Sequence, residues 1–137
     1  MKKVLFLCTG NSARSIISEC LLNQAGDNKY IAHSAGSQPT GKVNPFALKV
    51  LKKNNIPCES LSSKSWDEFQ NTHFDFVVTV CNNAANETCP IYPGSLEKIH
   101  WDLEDPAAFK GSDEDKLIEF QRIFDLIKKN IEQQFLK

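Results

Sequence analysis

The segment Val4-Leu5-Phe6-Leu7-Cys8-Thr9-Gly10-Asn11-Ser12-Ala13-Arg14-Ser15 decides the fold. Lys2 to Leu7 is a short polar start followed by an apolar run, the pattern of a strand buried on both faces. A loop of small and polar residues follows. From Arg14 to Ala25 the residues Ile17, Cys20, Leu21 and Ala25 recur at helical spacing, with Gly26 placed to end the helix. Small residues between strand and helix let the backbone curl so that successive N–H groups point inward, and the helix adds its positive end. The product is a cradle for a tetrahedral oxyanion, made by Thr9, Gly10, Asn11, Ser12, Ala13, Arg14 and Ser15. Arg14 closes it with a planar fork that matches two oxyanion oxygens and stays charged at physiological pH. Cys8 stands at the bottom, where the same dipoles favour thiolate over thiol, and Ser15 is placed to hydrogen-bond the sulfur. A bare Cys-x5-Arg pattern would be an ordinary polar turn; the strand before it and the Arg-Ser helix start after it give it chemical meaning. The Gly-x4-Gly-Lys-Ser/Thr signature of a nucleotide-binding loop is absent.

Downstream, strands and helices alternate. Tyr30 to Ser34 reads as a second strand ending at Ala35-Gly36, and Gly36 to Gly41 is a connection rich in Gly, Pro and Ser. Asn44 caps a helix that Pro45 opens and that runs to Asn54-Asn55 with Phe46, Ala47, Val50 and Leu51 on its apolar face. Pro57 to Asn71 is mixed and Ser-rich, with a short helix around Trp66 to Phe69. Phe74 to Val80 is β-branched and aromatic, a third strand that delivers Cys81 to its carboxyl end, and a fourth short strand falls near Lys98 to Trp101. An acidic loop through Asp105-Pro106 leads to the last helix. There Leu117, Phe120, Phe124, Ile127 and Ile131 alternate spacings of three and four, Asp113, Glu114 and Asp115 start it, and Lys128 and Lys129 lie near its end. The alternation implies one α/β domain over residues 1–137, with a parallel sheet whose ligands bind beyond the carboxyl ends of the strands. Cys8 and Cys81 both fall there.

Composition narrows the function. The 137 residues carry 16 Lys and Arg against 17 Asp and Glu, a net charge of -1, which offers no basic field for a nucleic-acid backbone. The start imitates a secretory signal, but Thr9-Gly10-Asn11 interrupts the apolar run, and no stretch approaches the ~20 apolar residues of a membrane helix. Five cysteines, at 8, 20, 58, 81 and 89, are an odd count without the density of a disulfide scaffold. A monomer in the reducing cytoplasm is expected. Zinc is not, because His33, His73 and His100 lack a CxxC or HxxxH nucleus.

With these residues in place, the chain resembles the low-molecular-weight protein tyrosine phosphatase superfamily through the quoted segment. Ser34-Ala35-Gly36, Val43-Asn44-Pro45, Val77-Val78-Thr79-Val80-Cys81, Cys89-Pro90 and Asp105-Pro106-Ala107 are similar to its thiol-dependent arsenate reductase branch. The resemblance implies a three-layer α/β sandwich on a four-stranded parallel sheet in order 2-1-3-4. It also implies that Asp105 is the general acid, carried on a loop that Pro106 stiffens, with Asp102 and Glu104 ranking below it. Some relatives hold a monovalent cation such as potassium behind the loop, and Asn11, Glu19, Ser34 and Asp67 stand at matching positions.

Cys81 and Cys89 separate the two branches. A phosphatase needs one reactive cysteine, whereas reducing arsenate to arsenite takes two electrons from thiols that end as a disulfide. On that reading Cys8 forms the arsenic adduct, Cys81 attacks Cys8, and Cys89 attacks Cys81. No cofactor is needed beyond an external thiol reductant, thioredoxin or glutathione with glutaredoxin. Cys20 and Cys58 read as structural, and His100 and Trp101 either line the site or pack. Two departures stand out: the interval from Cys81 to Cys89 is one residue longer than in thioredoxin-coupled members, and Ala13 replaces a second loop cysteine. The alternatives are a tyrosine phosphatase working through a Cys8 phosphoenzyme, and a non-enzymatic oxyanion sensor, for which Arg14, Asp105 and the extra thiols would be surplus.

Overall fold

The computed structural model describes residues 1–26, 28–58, 61–81 and 95–136. In chain order the elements are β1 Lys2–Cys8, α1 Arg14–Ala25, β2 Tyr30–Gly36, α2 Pro45–Lys53, β3 Phe74–Thr79, β4 Ser95–His100 and α3 Asp113–Phe135. Short 3-10 turns cover Trp66–Phe69 and Pro106–Ala108. The strands form one parallel sheet in the order β2-β1-β3-β4, as the resemblance implied. β1 is central, and its side chains alternate between the two faces. Val4, Phe6 and Cys8 join the core beneath α1, α2 and α3, while Leu5 and Leu7 pack with Ala35, Phe74 and Val77 on the face that carries Trp66 and Phe69. Burial on both sides explains the unbroken apolar run, each such side chain contributing ~2 kcal/mol of transfer free energy.

Local chemistry sets the element ends. Asn44 caps α2 by accepting the Phe46 N–H at 2.8 Å, with Pro45 at the first helical position. Ser112 does the same for α3 through the Asp115 N–H. Gly26 ends α1 in a right-handed conformation; a Cβ there would lie 2.7 Å from the Leu22 carbonyl oxygen, so close approach is why glycine is needed. Two elements exceed their sequence reading. β4 begins at Ser95 rather than Lys98, and α3 runs past Lys129 to Phe135. The extension of α3 has a tertiary cause: the Phe135 ring lies 5.2 Å from Tyr30, 5.5 Å from Phe76, 6.3 Å from Trp101 and 6.5 Å from Phe6. Among the described residues no helix is long and apolar enough to cross a membrane.

Candidate active site

The loop after β1 is defined by where its carbonyls go. Cys8 O accepts the Ser37 N–H, Thr9 O that of Gln38, Gly10 O that of Thr40, and Ser12 O that of Asn44, at 2.9 to 3.2 Å, while Ala13 O receives the Ile17 N–H inside α1. In a planar trans peptide the N–H of the next residue points the opposite way. Turning those carbonyls outward therefore turns the N–H groups of Thr9, Gly10, Asn11, Ala13 and Arg14 inward. The α1 N-cap, Ala13, makes no side-chain capping bond, and the positive end of the helix faces this loop. Gly36 lets β2 end against this loop, since a Cβ there would lie 2.5 Å from Thr9 O and 3.1 Å from the Asn11 Cβ.

Asn11 organises the sulfur. It is fully buried with φ at 47°, a left-handed conformation that asparagine tolerates better than most residues. Its N–H donates to Cys8 Sγ at 3.1 Å, its Nδ2 donates to Ser15 Oγ at 2.9 Å, and its Oδ1 accepts the Lys64 N–H at 2.9 Å. Ser15 Oγ lies 3.0 Å from Cys8 Sγ. That hydroxyl accepts from Asn11 and can donate its hydrogen to a Cys8 thiolate or accept from a Cys8 thiol. The Cys8 sulfur thus has the Asn11 N–H as a donor and the Ser15 hydroxyl in hydrogen-bond contact.

Arg14 and Asp105 meet at the same place. Arg14 is 5% exposed; its Nη1 donates to Leu103 O at 3.0 Å and its Nη2 stands 3.8 Å from Asp105 Oδ2. Asp105 is 40% exposed, and its Oδ1 accepts the Ala107 N–H at 3.0 Å, capping the turn that Pro106 begins. Glu104 reaches instead toward Arg122, at 3.3 Å. Leu103, unmarked in the sequence, bridges two site residues: its carbonyl holds Arg14 and its N–H donates to Cys81 O at 3.4 Å. Cys81 is buried and reduced. Leu7 pairs with Thr79, and the Val80 N–H donates to Leu7 O, so Cys81 sits one residue past the position beside Cys8 on the neighbouring strand. Cys89 lies outside the described residues.

The other candidates separate. Trp101 packs in the core against Phe6 and Phe135, and His100 Nδ1 lies 2.7 Å from Thr79 Oγ1 at the strand end. Cys20 is buried on α1; burial first, then the neighbouring Glu19 carboxylate, pushes its thiol up to about 12. Burial likewise raises Glu19 above the usual carboxylate range, opposed by the Ser34 hydroxyl, which donates to it, and by the Lys64 charge. Of the four residues matched to a cation, Asn11 spends its oxygen on Lys64, Ser34 bonds Glu19, and Asp67 is exposed on the Trp66–Phe69 turn. Ser34 and Glu19 thus bond each other, while Asn11 bonds Lys64 and Ser15. No group of three or more His, Cys, Asp or Glu among the described residues could hold a metal ion.

Known proteins resemble the chain over nearly its whole length. A family model described as low molecular weight phosphotyrosine protein phosphatase matches residues 3–137. An arsenate reductase of Halalkalibacterium halodurans is 38% identical over 130 residues, spanning 95% of this chain and 92% of the relative. The crystal structure of an arsenate reductase from Archaeoglobus fulgidus superposes with a TM-score of 0.80 at 27% identity, covering 98% of this chain and 99% of that one. A thioredoxin-dependent arsenate reductase of Corynebacterium glutamicum gives 0.65 at 25% identity, over 97% of this chain and 63% of the other.

Proposed function

Since the chain belongs to the low molecular weight phosphotyrosine protein phosphatase family, we propose that it is an arsenate reductase that converts arsenate to arsenite through a covalent adduct on Cys8. One observation carries the reading: the Cys8 sulfur receives the Asn11 N–H and contacts the Ser15 hydroxyl inside a loop whose amides face inward, with a second reduced cysteine, Cys81, just past the end of the adjacent strand.

The Cys8 thiolate attacks arsenic, a sulfur–arsenic bond forms, and one arsenate oxygen leaves as water with a proton from Asp105. The inward amides and Arg14 hold the remaining oxygens, where the planar fork is worth more than a point charge. Cys81 then attacks Cys8 Sγ. The sulfur–arsenic electron pair stays on arsenic, which departs as arsenite reduced by two electrons, and a Cys8–Cys81 disulfide remains. Val80, not Cys81, stands beside Cys8, so strand alternation alone would turn the Cys81 side chain to the other face, and the chain past Thr79 has to turn for this bond to close. Cys89 attacks Cys81, regenerating the Cys8 thiolate and leaving a Cys81–Cys89 disulfide for an external thiol. Thioredoxin is the favoured donor, on the strength of the thioredoxin-dependent relative; glutathione with glutaredoxin is the other. Thiols carry both electrons, so the scheme uses no resident cofactor. The enzyme is proposed to act as a monomer in the reducing cytoplasm.

A phosphotyrosine phosphatase activity of the same cradle is favoured by one observation, the exposed Phe109 ring at the end of the Asp105 loop, which can stack a phenyl ester. Side-by-side assay tests the choice: arsenate reduction with each thiol donor, and aryl phosphate hydrolysis. Reduction that outruns hydrolysis is expected. Fast hydrolysis with no reduction under either donor would assign the protein to the phosphatase branch.

A further inference from the structure

The Gly10 carbonyl accepts two hydrogen bonds, from the Thr40 N–H at 3.0 Å and from the Ser63 hydroxyl at 3.1 Å. The Ser63 hydroxyl in turn accepts the Gly41 N–H at 3.2 Å, so it joins the 40–41 turn to the loop. That Gly10 carbonyl belongs to the peptide group whose N–H, on Asn11, points at the Cys8 sulfur at 3.1 Å. A planar peptide turns as one unit, so a bond that pins its oxygen also aims its N–H. The next residue grips the same point from the other side. The Lys64 N–H holds the Asn11 side chain, and Lys64 O accepts the Gly36 N–H at 2.9 Å, tying this segment to the end of β2.

We propose that Ser63 is a positioning residue of the Cys8 cradle, acting through the Gly10–Asn11 peptide to keep an N–H donor aimed at the nucleophilic sulfur. Ser63 lies 53 residues from its partner Gly10 and touches neither sulfur nor substrate. Removing its hydroxyl leaves Thr40 as the sole partner found for Gly10 O among the described residues, and the peptide gains freedom to swing. The charged groups that meet at the cradle, Arg14 and Asp105, are untouched by the change. This inference rests on Cys8 being the nucleophile proposed above.

The test is iodoacetamide alkylation of the intact protein, with the Cys8 peptide followed by mass mapping, in wild type, Ser63→Ala and Ser63→Thr. At about pH 7 the alanine variant is expected to alkylate at Cys8 about threefold more slowly, the size of one modest hydrogen bond. At about pH 10, where ionisation no longer limits the reaction, the rates converge. Ser63→Thr, which keeps the hydroxyl, restores the wild-type rate, and in reductase assays Ser63→Ala lowers kcat more than it raises KM. Equal rates for alanine variant and wild type at about pH 7, or an equal loss at both pH values, would overturn the proposal alone. If phosphate fails to protect Cys8 in the wild type, the nucleophile assignment falls, and this inference with it.

Discussion

Cys8 and Cys20 are both buried, one just ahead of α1 and the other on its apolar side, yet their surroundings differ. Cys8 has the Asn11 N–H and the Ser15 hydroxyl on its sulfur and the Arg14 fork close by. Cys20 has hydrocarbon and a carboxylate, which push it up to about 12. Burial is common to the two, so what sets them apart is the polar contact at the sulfur.

The strongest way to break the comparison is to exchange roles by mutation. Cys8→Ser is expected to abolish turnover while phosphate binding survives, because serine has no thiolate to offer at neutral pH. Cys20→Ala should keep activity within about twofold and cost on the order of 1 kcal/mol of stability, seen as a lower urea midpoint. A Cys8→Ser protein that still turns over would end the distinction. Next in size, Arg14→Lys should slow the reaction ~100-fold, since a point charge replaces a bidentate fork where charge develops; near-wild-type rates would remove Arg14 from the cradle. Asp105→Asn should slow aryl phosphate hydrolysis ~100-fold for poorly acidic phenols and far less for acidic ones. A uniform loss across leaving groups would mark Asp105 as the anchor of its turn only.

The smallest effect concerns Glu19. Its raised value means that the folded state favours the neutral carboxyl, so this stability contribution is full below the usual carboxylate range and is lost as pH rises above it. Urea midpoints of the wild type should show that decline over the weakly acidic range, and Glu19→Gln should not. The same variant should make Cys20 slightly easier to alkylate at high pH, while burial, the larger cause, keeps it inert near neutrality.

The cradle was legible because its signal is local. Strand, small-residue loop and helix lie within residues 2–25, and both α1 boundaries coincide with the spacing argument. The segment behind it was not. Residues 61–65 carry no periodicity, and their purpose shows only in bonds to Gly10, Asn11 and Gly36 far away in sequence. Phe135 was missed for the same reason, since its partners come from three strands and their borders. Asp105 was visible only through Asp-Pro and the family resemblance; its approach to Arg14 depends on Leu103, whose backbone does the work and whose side chain gives no hint.

The order in which the cradle's parts lie along the chain has a consequence during translation. Cys8 precedes Ser63 and Lys64 by more than fifty residues and Asp105 by 97. At roughly 5 to 20 residues per second, a ribosome needs about 5 to 20 s between the nucleophile and the acid loop. For the first half of that interval the nascent Cys8 lacks the Lys64 bond that orients Asn11, and until nearly its end it lacks the Leu103 carbonyl that holds Arg14. It is then an ordinary thiol on an incomplete sheet. On the proposed mechanism reactivity is conferred late, by assembly, and a ribosome-bound chain halted before residue 60 should show a Cys8 no more nucleophilic than a cysteine in a short peptide.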